Sequence, residues 1–198
     1  MKVLAIIPAF NEAGAVGDVI REIQRQHPEV DIAVIDDGSR DATAKVAREA
    51  GAIVLQLPFN LGIGGAVQTG YQYAWDNGYG IAIQVDADGQ HPPSEMGKVI
   101  GPVQRGEADM VIGTRFREEG GFKSSAIRRI GIAMFARLVS LIIRERVTDT
   151  TSGFRAVNRK GIALFESDYP QDYPEVETQA LAHRHGLRLL EVPVTMVE

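Results

Sequence analysis

The sequence predicts an α/β fold: a mostly parallel sheet with helices on both faces, in three layers. Three observations carry this. Short β-rich apolar runs alternate with stretches of helical spacing as far as Gly113. One of those runs, Gly80–Val85, is apolar almost throughout, as a strand covered on both faces has to be. The length, 198 residues, is enough for one α/β domain and short for two, so residues 1–198 are expected to form a single domain.

Taken in order, Lys2–Ile7 is a strand stopped by Pro8, and Ala13–Gln26 carries Val16, Val19, Ile20 and Ile23 at helical spacing. Asp31–Ile35 is a second strand, ending at Asp36-Asp37-Gly38-Ser39. Asp41 stands at the N-cap position of a helix over Ala42–Ala50. Ile53–Leu57 is a third strand, and Pro58–Gly62 turns into a helix reaching Asn77. The fourth strand ends at Asp86, Pro92-Pro93 opens a helix over Ser94–Gln104, and Asp109–Ile112 is a fifth strand. The last third reads as a helix (Ser125–Arg146), a short strand (Gly153–Val157), a helix (Pro174–His185) and a final strand (Leu187–Val194).

Composition narrows the function classes. There is no cysteine, which excludes disulfides, thiolate metal sites and cysteine nucleophiles. The four histidines are too scattered for a zinc site. The apolar run from Met1 breaks at Pro8, too early for a signal peptide, and no segment reaches the roughly 18–20 apolar residues that span a bilayer. A soluble, cytoplasmic protein is expected. The net charge of −5 hides a block of eight basic and three acidic residues between Arg115 and Arg146. A basic block in an acidic chain suits one anionic partner, a phosphate or the inner face of a membrane, or is a solvated helix face. With a pI near 5.4 and no recognition motif, nucleic acid is not expected as a partner.

In open parallel sheets ligands bind beyond the carboxyl ends of the strands. The residues there are Pro8, Phe10, Asn11 and Glu12, then Asp36 and Asp37, then Asp86, Asp88 and Gln90, then Arg115. The sharpest feature is Asp86-Ala87-Asp88. Two carboxylates two residues apart repel each other unless a cation stands between them. Hard divalent ions such as Mg²⁺ or Mn²⁺ take such oxygens together with substrate phosphates, and Gln90 adds a neutral oxygen. Adjacent side chains point opposite ways, so one of Asp36 and Asp37 faces the pocket and the other braces the turn. Asp37 is placed to accept a nucleobase N–H. Glu12 either reaches the same pocket or caps the first helix. Gly62, Gly64 and Gly65 fit neither a Rossmann nor a P-loop pattern and read as close backbone packing.

Five ordered segments, Pro8-Ala9-Phe10-Asn11-Glu12, Ile35-Asp36-Asp37-Gly38-Ser39, Asp86–Pro93, Gly113-Thr114-Arg115-Phe116 and Thr151-Ser152-Gly153-Phe154-Arg155, resemble the family 2 glycosyltransferases of GT-A fold. Within that family the chain is most similar to the polyprenyl-phosphate sugar synthases. The resemblance implies a nucleoside pocket of Pro8, Phe10, Glu12, Ile35 and Asp37. It also implies a metal-diphosphate site of Asp86, Ala87, Asp88 and Gln90, with Asp88 and Arg115 in catalytic roles. Phe10 stands where the family usually has Tyr, which keeps a stacking ring and loses a phenol hydrogen bond. The family's final strand leads on to an Arg and a Lys that grip phosphate, whereas this chain stops at Glu198, so it is expected to be shortened at its C-terminus.

The implied reaction is an inverting transfer of a hexose from a GDP- or UDP-sugar by direct displacement. A polyprenyl phosphate is the expected acceptor: with a second pKa near 6 it is a dianion at neutral pH and needs cations, not a base. Arg128, Arg129, Arg144 and Arg146 around the apolar run Ile130–Ile143 suit that role, though a core helix with charged ends has the same pattern. A sugar-hydroxyl acceptor would need a base, for which Glu175 or Glu177 is available. Asp149 and Arg155 form an ion pair or order an acceptor loop, and Trp75 reads as core. A sugar nucleotidyltransferase would need a basic glycine-rich loop after the first strand, where Phe10-Asn11-Glu12 is acidic. An idle sugar-nucleotide binding module has no need of the intact aspartate pair.

Overall fold

In the computed structural model, which describes residues 1–115, 152–171 and 173–195 (without the side chains of Arg115 and Val176), strands and helices alternate. They are β1 (Val3–Ala9), α1 (Val16–Gln26), β2 (Val30–Asp36), α2 (Thr43–Glu49), β3 (Ile53–Gln56), α3 (Gly62–Asp76) and β4 (Ile81–Gln84). A 3₁₀ turn (Pro93–Glu95) then leads into α4 (Met96–Gln104), followed by β5 (Met110–Arg115). After the undescribed stretch come β6 (Arg155–Asn158), α5 (Arg159–Ser167), α6 (Pro174–Arg184) and β7 (Leu189–Val194).

The described strands make one sheet in the order β3-β2-β1-β4-β6-β5-β7. All run parallel except β6, which is antiparallel to both β4 and β5. Alternate residues of each strand feed two cores. On one face Ala5, Ile7, Ile32 and Ile83 meet Val19, Ile20 and Ile23 of α1 and Val99 and Val103 of α4. On the other, Leu4, Ile6, Ala33, Ile35 and Ala82 meet Val67 and Tyr71 of α3 and Ile162 and Phe165 of α5. α1 has no side-chain N-cap, but Val16, Val19, Ile20 and Ile23 are all buried. At about 1.5–3 kcal/mol per buried aliphatic side chain, those four outweigh a missing cap of about 1 kcal/mol.

Several local expectations are corrected. Pro8 does not stop β1, which continues to Ala9 opposite Asp36 of β2. The carbonyl of Ile6 faces β4, where it accepts the Val85 N–H. Two residues on, Pro8 faces that same side beyond the end of β4, so its missing N–H costs no ladder bond. Asp41 is one residue too early to be the N-cap of α2, yet its carboxylate accepts the Thr43 N–H and hydroxyl. α5 was not expected; its signal is Asn158, whose side chain accepts the N–H groups of Lys160 and Gly161 ahead of Ile162 and Phe165. Trp75 is 37 % exposed at the end of α3, with the Arg159 guanidinium stacked 3.7 Å over its ring. The expected helix over Ser125–Arg146, the basic block and Asp149 lie outside the described residues.

Asp109, 2 % exposed just before β5, joins three strands. Its carboxylate accepts the Arg188 backbone N–H and Nε at 3.0 Å, and Asn158 Nδ2 at 2.8 Å. The Arg188 hydrogen bonds hold its carboxyl well below the usual aspartate range. The stabilisation is therefore full above the unfolded pKa of about 3.9 and is lost as pH falls through the lower folded value. Asp109→Asn is expected to cost about 1–3 kcal/mol at pH 7. Denaturant unfolding at pH 7 and at pH 3 checks this: the gap between variant and wild type should narrow on acidification.

Candidate active site

The loops that follow β1 and β2 hold each other in place. Asn11, left-handed at φ 60°, donates its N–H to Ser39 Oγ and accepts the Arg40 N–H on Oδ1. The Glu12 N–H donates to Thr43 Oγ1 and the Ala13 N–H to Asp41 Oδ2. Glu12 uses its carbonyl, not its carboxylate, to receive the first N–H groups of α1. Its side chain is thereby left for the space beyond the strands.

That space is a cavity of about 300 Å³, lined by Pro8, Phe10 and Glu12 after β1, by Gln84, Asp86, Ala87 and Asp88 at the end of β4, and by Ile63, Gly153 and Glu175. Asp86 is held from several sides. His91 Nδ1 stands 3.2 Å from its Oδ2, with the imidazole stacked on Phe154 at 4.9 Å. The Gln84 side chain lies beside the carboxylate and favours its charged form. Gly153 presses close, since a Cβ there would stand 3.2 Å from Asp86 Oδ1 and 3.0 Å from Gln84 Nε2. Asp88 sits on an exposed turn through Gly89 (φ 80°), its Oδ1 accepting the Gln90 N–H. Burial pushes the Asp86 carboxyl above the ordinary aspartate range; His91 opposes this, Asp88 adds to it, and Arg155 and Gln84 oppose it.

Of the expected site residues, the fold brings Pro8, Phe10, Glu12, Asp86, Ala87 and Asp88 to one cavity. Three are placed elsewhere. Ile35 is fully buried in the core beneath α3, because odd and even positions of β2 face opposite layers. Asp37 lies outside the lining, and its two oxygens accept the N–H groups of Leu61 and Gly62 at the start of α3. Asp36 braces the turn through Ser39 and Gln56, so both carboxylates have structural partners. Gln90 is exposed and is not part of the cavity lining, and it serves Asp88 through its backbone N–H. Arg115 ends β5 beside Val194, and its side chain lies outside the described residues. Glu175 faces the cavity and Glu177 does not. The expected tight glycine packing is present: a Cβ on Gly64 would stand 2.6 Å from the Gln171 Cα and the Pro170 carbonyl.

Sequence reasoning missed Gln84, Ile63 and Gly153 as wall residues and gave His91 no part in holding Asp86. Gln84 had a readable signal, being the polar residue that interrupts an otherwise apolar buried strand. The others meet the site through tertiary packing alone.

The arrangement suits a hard divalent cation. Its donors are carboxylate oxygens, and both burial and the charge of Asp88 resist full ionisation of Asp86, a cost that a bound cation removes. Among the described residues no three His, Asp or Glu side chains are grouped to hold an ion, so a metal on Asp86 and Asp88 would draw its other ligands from substrate oxygens and water. No described helix is long and apolar enough to cross a membrane.

Comparison with known proteins shows the family and the fold. The family model described as "Glycosyl transferase family 2" matches residues 4–165. The chain is 30 % identical to a UDP-N-acetylglucosamine–dolichyl-phosphate N-acetylglucosaminyltransferase of Methanococcus voltae, over 97 % of this chain and 84 % of that one. It is 30 % identical to an undecaprenyl-phosphate mannosyltransferase of Micrococcus luteus, over 100 % of this chain and 84 % of that one. The structure superposes on glucosyl-3-phosphoglycerate synthase from Mycobacterium tuberculosis, solved with Mn²⁺, UDP and phosphoglyceric acid. The TM-score is 0.77 at 20 % identity, covering 100 % of this chain and 70 % of that one, which shows a shared GT-A fold.

His91→Phe keeps the stacking on Phe154 and removes the nitrogen beside Asp86. It is expected to weaken Mn²⁺ binding about 10-fold with little change in the unfolding midpoint. Titration of wild type and variant with MnCl₂, followed by calorimetry or by Mn²⁺ electron paramagnetic resonance, checks this.

Proposed function

From a chain that belongs to glycosyl transferase family 2, we propose an inverting transfer of a hexose from a GDP- or UDP-sugar to the phosphate of a polyprenyl lipid. Residues 1–198 serve in this reading as one catalytic domain. The observation that carries it is the meeting of Asp86 and Asp88 with Pro8, Phe10 and Glu12 around one cavity at the carboxyl ends of β1 and β4. The relatives named for dolichyl and undecaprenyl phosphate acceptors support the acceptor class, and their different sugars leave the hexose open.

In this reading Phe10, 45 % exposed at the cavity, offers a ring face to the nucleoside. Asp86, beside His91 and Gln84, and Asp88, presented on its turn, would hold the Mg²⁺ or Mn²⁺ that binds the diphosphate end. When bound, that ion supplies charge neutralisation for the departing nucleoside diphosphate. A phosphate monoester, already a dianion at neutral pH, attacks the anomeric carbon without losing a proton, so no side chain has to act as base. The lipid-phosphate acceptor would place the protein peripherally at the inner face of a membrane.

A second reading, a sugar-hydroxyl acceptor, draws support from Glu175, whose side chain lines the same cavity where a general base would be needed. Glu175→Gln separates the two. With a lipid-phosphate acceptor the turnover number is expected to stay within about 3-fold of wild type, whereas loss of a general base costs about 10²–10⁴-fold.

For the donor site, calorimetry with UDP- and GDP-sugars in the presence and absence of Mn²⁺ should show metal-dependent binding. Asp88→Ala should abolish that binding and leave the unfolding midpoint unchanged, because the side chain is exposed on a loop. Equal affinity in the variant would refute the reading.

A further inference from the structure

Arg155, 1 % exposed, is among the largest fully buried side chains of the described residues. Its place follows from the antiparallel strand β6, which sets Arg155 opposite Gln84 on β4 and Ile112 on β5. The guanidinium reaches two separate segments. Nη2 donates to the Ser152 carbonyl at 2.9 Å. Nη1 donates to the Pro174 carbonyl at 3.2 Å and to the Thr178 hydroxyl in the first turns of α6. Nε, buried, has no partner among the described residues.

Both segments carry a wall of the cavity. Ser152 precedes Gly153, which presses on Asp86 and Gln84, and Pro174 precedes Glu175. Among the described residues this cation is held by neutral oxygens with one N–H unmatched, a poor choice for stability alone, since a well-packed apolar side chain avoids the desolvation. A rigid planar fork is a good choice for holding two chain segments at a set distance and angle.

We propose that Arg155 is a positioning residue for transfer: by tying Ser152–Gly153 to the start of α6, it sets where the Glu175 side of the cavity stands relative to Asp86. This rests on the cavity being the donor site. Arg155 touches no reacting atom; it acts through the two walls it joins. Misplacement of a wall by even 1 Å can cost about 10²-fold in rate.

The test uses Arg155→Lys, which keeps the charge and loses the fork, Arg155→Met, which loses both, and Thr178→Val, which removes one acceptor and keeps the shape of the helix residue. Calorimetry with MnCl₂ and UDP or GDP reads the donor side, and initial rates with a polyprenyl phosphate read kcat and KM. Thr178→Val and Arg155→Lys are expected to bind nucleotide within about 3-fold of wild type while kcat falls about 10–100-fold, with Lys faster than Met. Unchanged kcat in Thr178→Val and Arg155→Lys overturns the proposal. So does a parallel loss of nucleotide affinity, kcat and melting temperature in Thr178→Val, which marks a merely structural contact. Wild-type protein that binds neither nucleotide in the presence of Mn²⁺ overturns the donor-site reading, and this proposal with it. Normal wild-type binding with undiminished turnover in the variants overturns this proposal alone.

Discussion

The structure turns on keeping two like charges close together at the end of a buried strand. Asp86 loses solvation by its position after β4 and feels the charge of Asp88 as well. The fold answers with a histidine at 3.2 Å, a glutamine on the strand itself and a glycine whose missing side chain leaves room for the carboxylate. His91 and Arg155 offset part of that charge, yet the Asp86 carboxyl still stands above its ordinary range. In the proposed reading a cation completes the pair, and the oxygens of a diphosphate complete the cation.

The remaining walls are positioned by hydrogen bonds between loops, not by the sheet directly. The loop after β1 is fixed by Ser39, Arg40, Asp41 and Thr43 from the loop after β2 and the first residue of α2. The loop after β2 is fixed by Asp37 at the start of α3, and α3 comes within backbone contact of Pro170–Gln171. Arg155 closes the ring by joining Ser152 to Pro174 and Thr178. Segments from the beginning, middle and end of the chain thus bear on one cavity, and a change in one loop is felt by its neighbours.

Acceptor chemistry follows from the same economy of groups. A sugar hydroxyl must lose its proton during transfer, and a phosphate dianion need not. Glu175 on the cavity wall suits the first case, and the relatives that act on lipid phosphates speak for the second.

By itself the sequence determined the strand–helix alternation, the layered α/β class and the aspartate pair, because these rest on short-range periodicity and on residue types with few alternative roles. Pro8, Phe10, Glu12 and Asp86–Asp88 were legible as cavity residues for the same reason: each lies within a few residues of the carboxyl end of a strand, where ligands of open parallel sheets bind. Tertiary structure decided what local pattern does not encode. It turned Ile35 into the core, gave Asp37 to the N-terminus of α3 and left Gln90 in solvent. It also reversed β6 within an otherwise parallel sheet, which carries Gly153 to Asp86 and buries Arg155 between two loops. Several of those placements depend on contacts between residues far apart in the chain, 24 positions for Asp37 with Leu61 and 71 for Gln84 with Arg155, and no short window of local sequence contains both partners.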